Sequence, residues 1–253
     1  MGQKHQADLY REHQPDEIRA RLSAPKPTSV AADAVLGGID GCVTTFAVVS
    51  GVIGADLPAS VALVLGFANL IADGFSMAVS NYESIKTDAE YVQSLRANEE
   101  RHIDTVPAGE REEIRQIFAS KGFSGPVLDD IVDTICADRG LWVDTMLAEE
   151  HGVQPTQKPP IKAAAVTFLS FVMVGSAPLL PFMMTGMDRL TQFGISACLA
   201  AFMFFFVGAA KSRLLSRPIL KSGVATLIIG GAAASLAFLV GYVLREVFGV
   251  VIA

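Results

Sequence analysis

The sequence predicts an all-α membrane protein with five transmembrane helices and a three-helix cytoplasmic insert between spans two and three. Three observations carry this. Of 253 residues, 51% are hydrophobic and only 18% are charged, which is too apolar for an ordinary soluble domain. Five apolar segments, near 34–54, 58–82, 163–184, 191–210 and 222–244, approach or exceed the ~20 residues that cross ~30 Å of hydrocarbon. Basic residues are also segregated. With the N-terminus cytoplasmic, residues 1–32, 83–162 and 211–221 hold 18 of the 20 Lys+Arg, leaving only Arg189 and Arg245 outside. The short loop Lys211, Arg213, Arg217, Lys221, set against a Gly54–Pro58 turn without Lys or Arg, gives the same orientation alone.

The chain divides into a cytoplasmic tail (1–32), spans one and two (33–82), the insert (83–162) and spans three to five (163–253). The first thirty residues are polar and carry no apolar core of a signal peptide, so the hydrophobic runs are expected to be retained. Asp16 to Leu22 has the length of a short surface helix, and Pro25 and Pro27 punctuate the approach to the membrane. Cys42, Cys136 and Cys198 stand far apart without a CxxC, and are read as small buried residues.

In the insert, Glu83 to Arg101 continues span two without Pro or Gly, so that helix projects beyond the membrane. Pro107-Ala-Gly109 breaks it. Glu110 to Lys121 forms a second helix, with Ile114, Ile117 and Phe118 on one face, and Gly122 stops it. A third helix is entered at Pro126 after Ser124 as N-cap. Its apolar residues Val127, Ile131, Ile135, Leu141 and Trp142 keep roughly helical spacing until Gly152 and Pro155. Spans three to five carry no interior charge. Pro178 and Pro181 kink the outer half of span three, and Gly208, Gly230, Gly231 and Gly241 mark faces for close helix approach.

Acids inside the first two spans are the costly feature. Asp33 and Asp40 are seven apart on one face of span one, and Asn69, Asp73, Met77 and Ser80 or Asn81 line one face of span two. In antiparallel neighbours, Asp40 and Asp73 reach similar depth. Each acid costs about 2.5–3.5 kcal/mol near the centre of a span, and no Lys or Arg in the spans is expected to pair with them. They must be protonated, hydrated or metal-bound, so protons and a metal compete for the same carboxylates. Met77, one turn from Asp73, adds a thioether that suits a transition metal rather than Mg²⁺ or Ca²⁺. Asp33 is read as an entrance residue, with an interfacial N-cap as the plain alternative.

The insert is acidic, with 16 Asp+Glu against 9 Lys+Arg. Its acids cluster as Glu99-Glu100 with His102, Glu110 with Glu112-Glu113, and Met146 with Glu149-Glu150-His151. Glu99 and His102, at i and i+3, can share a metal as in di-iron helix bundles. A solvated helix surface is the ordinary fate of such charge, but recurrence on all the predicted helices, with Met and His mixed in, favours metal.

These residues resemble the vacuolar iron transporter family. The resemblance rests on DAVLGGIDGCVTTFAVVSGVIGA from Asp33, GFANLIADGFSMAVSNYESIKTDAEY from Gly66, MLAEEHGV from Met146 and FVGAAKSRLL from Phe206. It implies five spans per protomer, a homodimer with the path at its interface, and export of Fe²⁺ from the cytosol in exchange for protons, with other divalent metals such as Mn²⁺, Zn²⁺ or Co²⁺ accepted. By motif, Asp40 and Met77 match the translocation positions, with Asp33 and Asp73 beside them. Glu99, Glu110, Glu113, Met146 and Glu150 match the cytoplasmic ligands. The sequence departs from the pattern at His102, where Glu is usual, and at Leu147, which follows Met146 where a polar or second sulfur ligand is expected.

The function expected is therefore a proton-coupled divalent-metal transporter rather than an enzyme, with metal ions, protons and lipid as partners and neither an organic cofactor nor nucleic acid. A plasma or inner membrane fits, as does a vacuolar-type one. Two rivals use the same residues: a membrane-anchored ferroxidase built on Glu99 and His102, and a metal-buffering or sensing protein without transport.

Overall fold

The computed structural model describes residues 8–24, 29–153, 158–215 and 218–249, and there every regular element is helical. Pro25, Pro27, Pro155 and Arg217 lie outside the described residues. Helix α1 (Pro15–Ser23) has no buried residue, as a surface helix over Asp16–Leu22 requires.

Helix α2 (Ala31–Gly54) is the central element. Half of its apolar window is buried by the rest of the chain, against 17% for the last helix, so the other helices wrap around it. A tight turn, in which Asp56 takes φ +60, leads into α3 (Ala59–Thr105), 47 residues without a break. At 1.5 Å per residue α3 is about 70 Å long. Its first half is apolar and its second half polar, so one rod joins both parts of the molecule.

Helix α4 (Pro107–Ser120) begins at Pro107, where the ring's missing N–H costs nothing. Gly122, at φ +95, ends that segment. The single third helix expected from Ser124 onward is instead two, α5 (Gly125–Ala137) and α6 (Arg139–Glu149). The break is Asp138, extended at φ −113 and ψ 110, whose carboxylate accepts the Leu141 N–H at 3.1 Å. That acid caps a new helix, while the apolar spacing runs on through the corner and conceals it. Ser124 precedes α5, but its hydroxyl makes no capping bond. Ile114, Val132, Val143, Met146 and Leu147 fill the small core that joins α3 to α4–α6. Arg139 bridges back to Asp104 at 2.6 Å and to the Glu100 carbonyl at 3.0 Å, holding α6 on the end of α3.

Helix α7 (Pro160–Gly175) passes into a 3₁₀ turn, Ala177–Met183, bent from it by 43° at the expected prolines. The carbonyls freed there find partners on α8 (Arg189–Leu215). Ser196 Oγ donates to the Pro178 carbonyl at 2.6 Å, and Gln192 Nε2 to that of Met184 at 2.9 Å. Helix α9 (Ile219–Phe248) completes the described elements. By length and composition four of these helices can cross a membrane, and five spans result if the bent pair counts as one.

Small residues set the spacing around α2. A Cβ on Gly41 would collide with the Phe171 carbonyl, and one on Gly241 with that of Gly51, so α7 and α9 lie backbone to backbone against α2. Gly231, read as part of a close face, meets nothing within 4 Å. Cys42 is buried, as expected, but Cys198 is exposed on α8.

Candidate metal sites

Two groups of acids sit on α3, one in its apolar half and one in its polar half. In the apolar half, Asp73 and Met77 are half-buried, and Asp40 on α2 is close enough to Asp73 for the two charges to interact. Met77 packs against the core around α2. Asn69, a turn earlier on the same stripe, has a buried amide nitrogen without a partner among the described residues.

Asp33 differs from both in having a cationic partner, which comes from the insert and not from a span. It is 3% exposed. Its Oδ1 accepts from Lys158 Nζ at 2.7 Å and from Asn81 Nδ2 at 3.0 Å. Asn81 also donates to Thr167 Oγ1 at 2.8 Å, which in turn donates to the Ala163 carbonyl at 3.0 Å. Thus α2, α3 and α7 meet on one carboxylate. Lys158 escaped the sequence reading because it lies just before α7 in the polar insert, and its long stem carries the ammonium to the buried acid. Asp33 Oδ2 remains buried without a partner among the described residues. A cavity of about 600 Å³, lined by Asn81, Ser84, Asp88, Tyr91 and Lys158, opens beside this junction.

In the polar half, Glu99 on α3 is the hub. It is 2% exposed, although it is one of the charged residues of a long surface run. Its Oε1 lies 3.0 Å from His151 Nε2 and 3.9 Å from His102 Nδ1. His102 Nδ1 lies 3.5 Å from Oε1 of Glu110, which is 3% exposed on α4. His151 Nε2 also lies 3.8 Å from Glu150 Oε2. Two triads result, Glu99–His102–Glu110 and Glu99–Glu150–His151, each with its ligand atoms within 4.8 Å of one another. The second oxygens of Glu99 and Glu110 are buried without a partner among the described residues, a cost that a bound cation would relieve.

Electrostatics agree with this geometry. Burial, joined by the charges of Glu113 and Glu99 and opposed by His102, pushes the Glu110 carboxyl up to about 7. Burial likewise raises Glu150, against the opposing charge of His151, and the hydrogen bond to Glu99 raises His151. Glu110 is therefore partly protonated near neutral pH.

Of the other expected ligands, Glu113 is exposed beside Glu110 and Glu150, acting on both through its charge. Met146 is fully buried in the core under the cluster. Glu149 points elsewhere, into an ion pair with Lys121. His151 was absent from the expected ligand set. Its place next to Glu150 was visible in the sequence, but its contact with Glu99, 52 residues away, was not.

Apolar helices around a buried core, with acids both inside them and in a polar helical extension, define an integral, multi-pass membrane protein with clusters that could hold a metal ion. Residues 31–242 match the VIT family. A vacuolar iron transporter from Toxoplasma gondii is 32% identical over 261 residues, spanning 97% of this chain and 83% of that protein. Vacuolar iron transporter 1 of Oryza sativa subsp. japonica is 34% identical over 213 residues, spanning 83% of each chain. Vacuolar iron transporter 1 of Arabidopsis thaliana is 27% identical over 220 residues, spanning 86% of this chain and 87% of that one. The chain belongs to the VIT family.

Proposed function

We propose that this protein moves a divalent transition-metal cation, Fe²⁺ foremost and Mn²⁺, Zn²⁺ or Co²⁺ besides, out of the cytosol in exchange for protons. One observation carries the reading: a single unbroken helix, α3, bears both Asp73/Met77 in its apolar half and Glu99/His102 in its polar half. At 1.5 Å per residue, Met77 and Glu99 stand about 33 Å apart along that rod. The relatives' names supply the cargo class, and the charge segregation supplies the orientation. The polar half and α4–α6 lie on the cytoplasmic side with the N-terminus, and the bent α7 and its 3₁₀ turn form one span of five.

In this scheme the Glu99 cluster gathers metal in place of protons. The cavity beside Asn81 and Lys158 leads it to Asp33, and then to Asp40, Asp73 and Met77. Protons from the far side compete for the same carboxylates and release the ion. Asp73 and Met77 are only half-buried in one chain, and a charge facing lipid is costly. A second copy packed across that face would enclose the path, which supports a homodimer with the path at its interface. The scheme fits a plasma or inner membrane as well as a vacuolar-type one.

The test is flux in proteoliposomes. A pH gradient should drive Fe²⁺ uptake in the wild type, and Asp40→Ala should abolish it with the protein still folded. Undiminished flux in that variant would sink the mechanism. The ferroxidase alternative draws on Glu99 and His102, but di-iron bundles of that type use a Glu-x-x-His pair from each of two helices. This sequence has one such pair, since Glu150 and His151 are adjacent.

A further inference from the structure

The Glu99 cluster contains two imidazoles, and both face the same carboxylate oxygen, Oε1. His102 lies one turn along α3, and His151 follows the end of α6. The protein has four histidines, of which the other two are His5 and His13 in the N-terminal region. Two of the four thus converge on Glu99, at 3.0 and 3.9 Å. Each ring completes a different triad, with Glu110 on one side and Glu150 on the other. Glu99 belongs to both, and its Oε2, like that of Glu110, is buried without a hydrogen-bond partner among the described residues. A buried, unpartnered carboxylate oxygen inside a cluster of ligand atoms is a place for a cation, and here two triads share one such group.

We propose that His102 and His151, which converge on Glu99, set the metal preference of this bundle. The inference rests on the reading that the bundle gathers metal, and adds to it which ions are gathered best. Each triad offers one nitrogen and two carboxylate groups. Carboxylate and water alone suit Mn²⁺ and other hard ions, whereas imidazole favours ions later in the first-row series, such as Co²⁺ and Zn²⁺. The family resemblance places a Glu at position 102 and no ligand at position 151. Replacing oxygen by nitrogen in one triad, and adding nitrogen to the other, turns the bundle toward Zn²⁺ and Co²⁺ and away from Mn²⁺.

The test uses the full chain in detergent, with His5 and His13 replaced by Gln so that any imidazole signal comes from the bundle. Zn²⁺ and Mn²⁺ affinities are measured by calorimetry, and the zinc environment by X-ray absorption. The zinc spectrum should contain imidazole scattering, and it should vanish in the His102→Glu/His151→Leu double variant. The Zn²⁺-to-Mn²⁺ affinity ratio should fall in that variant by at least about tenfold, the lower bound of what even outer-shell partners contribute. Glu99→Gln should weaken zinc binding more than Glu110→Gln or Glu150→Gln, since Glu99 belongs to both triads. Zinc bound without imidazole scattering, or an unchanged affinity ratio, would overturn this inference and leave metal gathering by the bundle intact. Equal losses in the three Glu variants would overturn the sharing of Glu99 by the two imidazole-containing triads. If neither metal binds in a way that depends on Glu99, the gathering role itself falls, and this inference with it. The zinc spectrum of the protein with both bundle histidines present decides the matter even where a variant fails to fold.

Discussion

Lys158 Nζ lies 2.7 Å from Asp33 Oδ1, joining residues 125 apart in the chain. The pair ties the stretch before α7 to the start of α2, at the mouth of the cavity that faces the polar half of α3. The ammonium thus lines the cavity while its charge is shared with a buried acid of the apolar helices.

Removing that ammonium should leave a buried carboxylate held by Asn81 alone. Lys158→Ala is expected to destabilise the protein by about 1–3 kcal/mol, the cost of an unsatisfied buried polar group. Adding Asp33→Asn should recover part of the loss. The measurement is a double-mutant cycle from thermal unfolding in one detergent. Additive losses in the double variant would show that the two side chains do not support each other.

Close packing around α2 gives a second expectation. Gly41→Ala puts a methyl against the Phe171 backbone carbonyl, which neither helix can move aside cheaply. It should cost about 1–3 kcal/mol through overpacking. Gly231→Ala, with open space around it, should be neutral or stabilising by up to about 1 kcal/mol through helix propensity. Similar melting temperatures for the two variants would contradict the packing described for α2 and α7.

The metal-free polar cluster should weaken as pH rises. Glu110 titrates near 7 in the folded protein against an ordinary 4.5. Its stabilising contribution is therefore complete below about 4.5 and lost as pH climbs through 7. His151, raised above its ordinary 6.5, acts in the same direction, its contribution complete below about 6.5 and lost above its higher folded value. The melting temperature of the metal-free protein should thus fall between about pH 6 and about pH 8. Glu110→Gln, which stays neutral, should flatten that fall. A melting temperature that rises with pH over this range would exclude the account.

Much of this molecule was legible in its residues because burial in lipid and helix periodicity are local demands. The apolar runs, the unbroken passage from span two past Glu83, the prolines of span three and the stop at Gly122 each act within a few residues of themselves. The corner at Asp138 was not legible. Capping by its carboxylate competes with an apolar period that continues undisturbed on both sides. Gly41 and Gly231 illustrate the same limit, since nothing in the sequence says which glycine faces a helix and which faces open space.

The sequence by itself determined that the chain is helical and apolar, that acids stand inside its apolar helices, and that a polar extension rich in Glu follows. These follow from composition and spacing, which every conformation of the chain shares. Only the tertiary structure decided which groups meet. It buried Glu99 and Glu110 while leaving Glu113 exposed and turning Glu149 to Lys121, brought His151 across 52 residues to Glu99, and sent Lys158 to Asp33. Those choices depend on how α3, α6 and α7 pack against one another. A carboxylate's chemistry is set by neighbours that packing, not sequence position, supplies.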